Sequence, residues 1–350
     1  MNRRTTALAT TILVTSACAT NTHPLESIWY ARNDDASIAS FVANTSRITI
    51  VSPQVFSLDS AGDIRGAIDP RVIAAARTGA VKLVPLVMNP GFDQPSIHRV
   101  LTVPAARANA THNLAKLCRD NHLDGIQFDI ENVHVNDRDA FTALVRESVD
   151  SVHHAGCTLS AAVVPRTGAE PGTSDYHRWI DDNWRNVYDY KALADTLDFI
   201  SYMTYAQHTG GSTVGPVAGF PWMEASLKYV LSLGVSPSRI SLGIPAYSDY
   251  WYSTYNPSSG SRMRGDDIAY PSLMALMTKV GAAAHWDDVQ KAPFAMWENH
   301  GVFELAWLED ARAFEAKLSL VRKYDLRGYS VWLLGLEDPR TWEIVGAVTK

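Results

Sequence analysis

Leu123-Asp124-Gly125-Ile126-Gln127-Phe128-Asp129-Ile130-Glu131-Asn132 is the stretch on which the fold turns. Its apolar and polar residues alternate with the period of two that a β-strand imposes. Ile126, Phe128 and Ile130 are expected to face a helix layer. Gln127, Asp129 and Glu131 are expected to face the inside of a barrel and to rise toward its C-terminal end, where the active sites of (β/α)8 barrels lie. Acids pointing into a barrel are costly to bury unless they are paired or used.

Working outward, strands and helices alternate from residue 27 onward. Ser27–Ala31 and Arg47–Phe56 are β-rich, and Val81–Met88 is an apolar strand. Asp69–Thr78 reads as a helix closed by Gly79. Pro104 opens a helix to about Asn121, with Ala110, Leu114, Leu117 and Cys118 on one face. Asp137–His154 carries Phe141, Leu144, Val145, Val149 and Val152 at helical spacing and stops before Gly156. Thr158–Val164, Asp198–Met203, Ile240–Pro245 and Gly328–Leu333 continue the strands, with helical segments near 222–233, 309–324 and 339–349. Apolar strands alternating with amphipathic helices imply a parallel sheet covered on both faces. Eight such strands predict an α/β fold, a (β/α)8 TIM barrel over residues 27–350.

One segment departs from the alternation. Residues 249–309, between the seventh and eighth strands, are aromatic and turn-rich. They read as antiparallel strands with one helix, Pro271–Val280, and predict a small α+β insertion subdomain.

The 350 residues are 46% hydrophobic and 19% charged, a globular composition. Thirty-one basic against 37 acidic residues give a net charge of −6 without a Lys/Arg block. That argues against a nucleic-acid partner, which needs clustered positive charge. Residues 1–17 read as an export signal: Arg3 and Arg4, a short apolar run, then Thr15-Ser16-Ala17-Cys18. The pattern resembles a lipoprotein signal, with Cys18 as the lipidated residue. Ordinary cleavage after Ala17 or Ala19 is the alternative. The expectation is an exported, periplasmic or lipid-anchored monomer with no other tie to a membrane. Export permits a Cys118–Cys157 disulfide; two buried thiols fit the sequence as well.

Asp129 and Glu131, at i and i+2 on one face, stand roughly 6–7 Å apart along a strand, close enough to couple. The outer Glu131 is then a candidate general acid held protonated near neutral pH. A Mg²⁺ or Ca²⁺ site is the competing use of such acids. No separate oxygen-ligand cluster supports it, and His98, His112, His122, His134, His153 and His154 show no metal spacing. No metal and no cofactor are expected.

At this point the sequence resembles glycoside hydrolase family 18, the chitinase-like hydrolases. Asp124, Gln127, Asp129 and Glu131 fall on the four positions of its DxxDxDxE signature. Ser201-Tyr202-Met203-Thr204-Tyr205 is similar to its Met-x-Tyr strand, Leu242–Tyr247 to its seventh strand, and Gly328–Trp332 to its last. Gly215–Ala218, Pro221-Trp222, Trp307–Asp310 and Gly335-Leu336 resemble the bacterial branch that includes spore-cortex and cell-wall peptidoglycan N-acetylglucosaminidases.

The resemblance implies a retaining hydrolase of N-acetylglucosamine-containing glycan that uses the substrate's 2-acetamido group as nucleophile. Glu131 would be the acid/base, Asp129 would orient the acetamide, and Tyr205 would bond its oxygen. Trp332 would stack against the sugar, and Asp124 and Gly125 would be structural. Gln127, Met203, Tyr247 and His208 are further candidate substrate contacts. Two positions depart from the family pattern: Gln127 stands for the middle Asp, and Ala206 for the Asp that follows the Met-x-Tyr tyrosine. They keep two other functions in view, a chitooligosaccharide hydrolase and a non-catalytic glycan-binding protein.

Overall fold

The computed structural model describes residues 25–348. Within them eight parallel strands close into a barrel: Glu26–Ala31, Ile50–Leu58, a split third strand, Gly125–Asp129, Thr158–Val163, Phe199–Tyr202, Ile240–Pro245 and Gly328–Trp332. Closure is direct, because the first strand pairs in parallel with both the second and the eighth. Pro85 explains the split. It has no N–H for the ladder, so the expected Val81–Met88 strand becomes Lys82–Leu83 and Leu86–Met88.

Helices wrap the barrel and bury one stripe each. Arg138–His154 buries Phe141, Leu144, Val145, Val149 and Val152, the residues its periodicity selects. The main core lies between helices and strands; Ile126, Phe128 and Ile130 join it from the fourth strand. Four helices escape the sequence reading: Asp35–Asn44, Gln94–Thr102, Asp175–Ile180 and Tyr190–Thr196.

Gly125 is required where the fourth strand meets the fifth. A Cβ there would lie 2.2 Å from Thr158 Oγ1. Asp124 accepts from the Leu83 N–H at 2.8 Å and ties the third strand to the fourth. Cys118, near the C-terminus of helix Pro104–Asn121, and Cys157, just before the fifth strand, form a disulfide.

The insertion is a five-stranded antiparallel sheet with the helix Tyr270–Val280 on one face. Its strands run from Ser248–Asn256 to Val302–Trp307. Among the described residues no helix is long and apolar enough to cross a membrane. Cys18 and the expected signal lie outside the described residues.

Candidate active site

The site is built on a polar layer inside the barrel. Tyr30 of the first strand donates to Gln127 Oε1 at 2.6 Å. Gln127 Nε2 donates to Ser160 at 3.0 Å and Ser201 at 3.1 Å, on the fifth and sixth strands. Gln127 is 1% exposed, and its amide is fully engaged inside the protein. Its place is therefore the floor that holds strand four, rather than a surface that glycan touches.

One pleat higher, Asp129 hydrogen-bonds both Glu131 and the Gln54 side chain. Burial pushes Asp129 up to about 6, against the pull of those two bonds. Glu131 stands well above the usual carboxylate range. Burial is the main cause, followed by the Asp129 charge and the bond to Asp129. The upward push is the stronger on Glu131, which has the Asp129 charge against it as well as burial, so Glu131 is the member of the pair that favours the proton. Asn89, directly after the third strand, braces the acid through its backbone: its Nδ2 donates to Glu131 O at 2.9 Å and its Oδ1 accepts from Glu131 N at 3.1 Å. Tyr188 donates to Ile130 O at 2.8 Å.

Tyr205 follows the sixth strand and is partly buried. Its hydroxyl is held protonated by burial, with Tyr30, Asp129, Glu131 and Tyr247 all adding to the shift. Those groups therefore converge on one place. Trp332 ends the eighth strand, with its ring 5.5 Å from that of Tyr30 and the Arg32 guanidinium carbon 5.6 Å from its centroid. In an eight-stranded barrel the fourth and eighth strands stand opposite, so Glu131 and Trp332 face each other across the mouth.

The other candidates are distributed unevenly. Met203 is 7% and Tyr247 4% exposed, much as Asp129 is at 4%, and Tyr247 acts on Tyr205. Tyr247 meets the backbone of Ala206. Ala206 has φ 54°, a left-handed conformation more natural to Asn or Asp. The turn persists here without the family's Asp. His208 is directed to its own loop: its Nδ1 lies 2.9 Å from Thr213 O, and Gly215 leaves room for its ring. No bond ties it to the acid pair.

Tyr30, Gln54 and Asn89 belong to the site and were missed by sequence reasoning. Tyr30 and Gln54 lie on barrel strands, and Asn89 directly follows one. The test that selects Asp129, a polar side chain near a strand's C-terminal end, reaches them too. Among the described residues no group of three or more His, Cys, Asp or Glu could hold a metal ion.

A second set of acids lies where the insertion joins the barrel. Asp249 and Asp267 are opposite one another across two antiparallel strands. Burial and the neighbouring Asp267 and Glu309 charges push Asp249 up to about 9. Glu309, raised to about 7 by burial, bonds the fully buried Lys317.

Residues 37–337 match the family described as glycosyl hydrolases family 18. The chain is 26% identical over 299 residues to the cortical fragment-lytic enzyme of Bacillus subtilis, covering 84% of this chain and 63% of that protein. It is 26% identical over 255 residues to human di-N-acetylchitobiase, covering 65% of each. It therefore spans less than two thirds of either relative's length. Its backbone superposes on the spore cortex-lytic enzyme SleL of Bacillus megaterium with TM-score 0.82 at 21% identity, covering 94% of this chain and 75% of that one.

Proposed function

We propose that this chain, which belongs to glycosyl hydrolases family 18, is an exported retaining glycosidase. It cuts β-1,4 linkages of N-acetylglucosamine-containing glycan, peptidoglycan or its fragments, by substrate assistance. The observation that carries the reading is the Asp129–Glu131 pair, with its proton favoured on the outer acid and Tyr205 beside it. Glu131 gives its proton to the glycosidic oxygen as that bond to the anomeric carbon breaks. The acetamide oxygen of the same sugar attacks that carbon and forms a cyclic oxazolinium. Asp129 accepts the acetamide N–H and offsets the positive charge, Tyr205 donates to the acetamide oxygen, and the Trp332 ring lies under the sugar. Glu131, now a carboxylate, takes a proton from the water that attacks the anomeric carbon. The ring reopens to the acetamide, and the sugar keeps its β configuration.

The Cys118–Cys157 disulfide favours an oxidising compartment and so supports export. The sequence around Cys18 supports a lipid anchor, tested by the mass of the mature N-terminal peptide; an unmodified Cys18 would refute it. Similarity to a protein named di-N-acetylchitobiase favours short chitooligosaccharides as the second substrate reading. The retained acid at 131 disfavours a purely binding role. The test is release of reducing ends from purified peptidoglycan and from chitooligosaccharides by the wild type and by Glu131→Gln. Release by the wild type alone supports hydrolysis, and the preferred substrate ranks the two readings. Equal behaviour of the two proteins refutes hydrolysis.

A further inference from the structure

We infer that Tyr176 and Trp179 form an aromatic platform that stacks a sugar beyond Glu131, on the side away from Trp332, and so favours long glycan chains. The inference rests on the glycosidase reading above and names a part of the substrate that reading leaves unassigned. Tyr176 is 43% and Trp179 52% exposed. They lie one turn apart on the helix Asp175–Ile180, in the connection that follows the fifth strand, with ring centroids 6.2 Å apart and planes at 34°. Side by side the two rings make a contiguous apolar patch, the kind of surface feature that marks a binding site more often than a single exposed ring does.

The helix is capped and braced by its own neighbours in the chain. Ser174 accepts from the His177 N–H at 3.2 Å and lies 2.8 Å from His177 Nδ1. Gly172 lets the chain pass over the His177 ring, where a Cβ would come within 2.4 Å of its Cγ. Arg178 donates to Thr173 O at 2.8 Å.

Hydrogen bonds then join this helix to Asn132, the neighbour of the acid. Asn183 Nδ2 donates to Trp179 O at 2.8 Å. Gln94 Nε2 donates to Asn183 Oδ1 at 3.1 Å and to Asn132 Oδ1 at 3.3 Å. Asn132 is the residue after Glu131. Phe92 packs edge-on against Trp184, with centroids 6.1 Å apart, and closes the same rim.

The occupant follows from this continuity and from the surrounding chemistry. With one sugar on Trp332 and the scissile oxygen at Glu131, the rest of the chain leaves over the connections after strands four and five. A sugar ring offers an apolar C–H face to an aromatic ring and hydroxyls at its edge. Exposed Asp175, His177, Arg178 and Asp182 flank the two rings and suit those hydroxyls.

The test compares Trp179→Ala and Tyr176→Ala with the wild type on an N-acetylglucosamine hexamer and on an aryl glycoside of the disaccharide. The expected loss of kcat/KM on the hexamer exceeds that on the aryl glycoside by about five- to tenfold. Trp179→Phe is expected to restore most of it. Equal losses on both substrates, or no loss on either, overturn the inference. Hexamer binding to Glu131→Gln, followed by tryptophan fluorescence, separates this from the parent reading. Binding weakened by adding Trp179→Ala supports the platform even if no glycan is cleaved. Binding indifferent to Trp179 rejects it even if the enzyme is active. Loss of binding to phosphatidylglycerol vesicles in the variants, with hexamer binding unchanged, also rejects it and assigns the rings to a membrane surface.

Discussion

Among the described residues, two clusters built around buried acids look alike and differ in their surroundings. At the barrel mouth, Asp129 and Glu131 share a proton one pleat above a satisfied amide layer. At the junction with the insertion, Asp249 faces Asp267 while Glu309 leans on Lys317. Burial dominates the upward shift of all these carboxyls. A raised acid is therefore not in itself a sign of chemistry. The difference lies in company. The mouth pair faces Tyr205, has Trp332 across the opening, and contains no cation to neutralise it. At the junction Asp249 and Glu309 are 2% and 3% exposed, close to the 4% of Asp129, while Asp267 is exposed. There a buried lysine offsets one charge, and Arg32 acts on Asp267 from the rim. On the proposed mechanism the first cluster lends a proton, while the second joins two parts of the fold.

The largest test of that contrast is Glu131→Gln. Turnover of N-acetylglucosamine oligomers should fall by about 10²- to 10⁴-fold, while the melting temperature stays near that of the wild type. A comparable fall in turnover from a junction variant that remains folded would erase the distinction. Lys317→Met attacks the junction instead. It leaves the Glu309 charge uncompensated in a closed site, which should cost about 3–5 kcal/mol in urea unfolding. Activity per folded molecule should persist.

Asp249→Asn probes the same place more gently. In the folded state Asp249 titrates near 9 instead of 3.8, so the native protein binds more protons than the unfolded chain between those values. This group's contribution to stability is therefore full at low pH and is lost as pH rises through that window. The variant should lose less stability than the wild type between pH 5 and pH 9, and gain at least about 1 kcal/mol over it near pH 8. Identical pH slopes would contradict the burial of that carboxyl.

The smallest effect concerns the floor beneath the acids. On the proposed mechanism Asp129 must be ionised to serve the acetamide, so kcat/KM should decline on the acid side near pH 6. Gln127→Asp would put a second charge below Asp129 and move that limb upward by roughly one unit. An unmoved limb would mean that position 127 is electrically remote from the reaction.

How far the sequence reached follows from which signals are local. Strand four, its alternation and its acids were legible because a period of two is written in consecutive residues. The long helices were legible through their stripes. Asp35–Asn44, rich in Ala and Ser, carries a weak stripe and was missed. Strand three was read as continuous because Pro85 sits among apolar neighbours. Cys118 and Cys157 stayed open because pairing depends on where a helix end meets a strand start. His208 was expected in the cleft from its position after strand six, but Thr213 draws its ring into its own loop. Gln127 was read as a substrate contact, and only the positions of Tyr30, Ser160 and Ser201 show its amide to be fully used below the surface. The opposition of Asp249 and Asp267 depends on strand register between residues far apart in the chain.

The central claim is that the mouth pair works through the substrate's own acetamide. The anomeric configuration of the first product released from an N-acetylglucosamine tetramer, followed by proton NMR before mutarotation, tests it most directly. The β anomer is expected. Initial release of the α anomer would mean direct attack by water and would contradict the account.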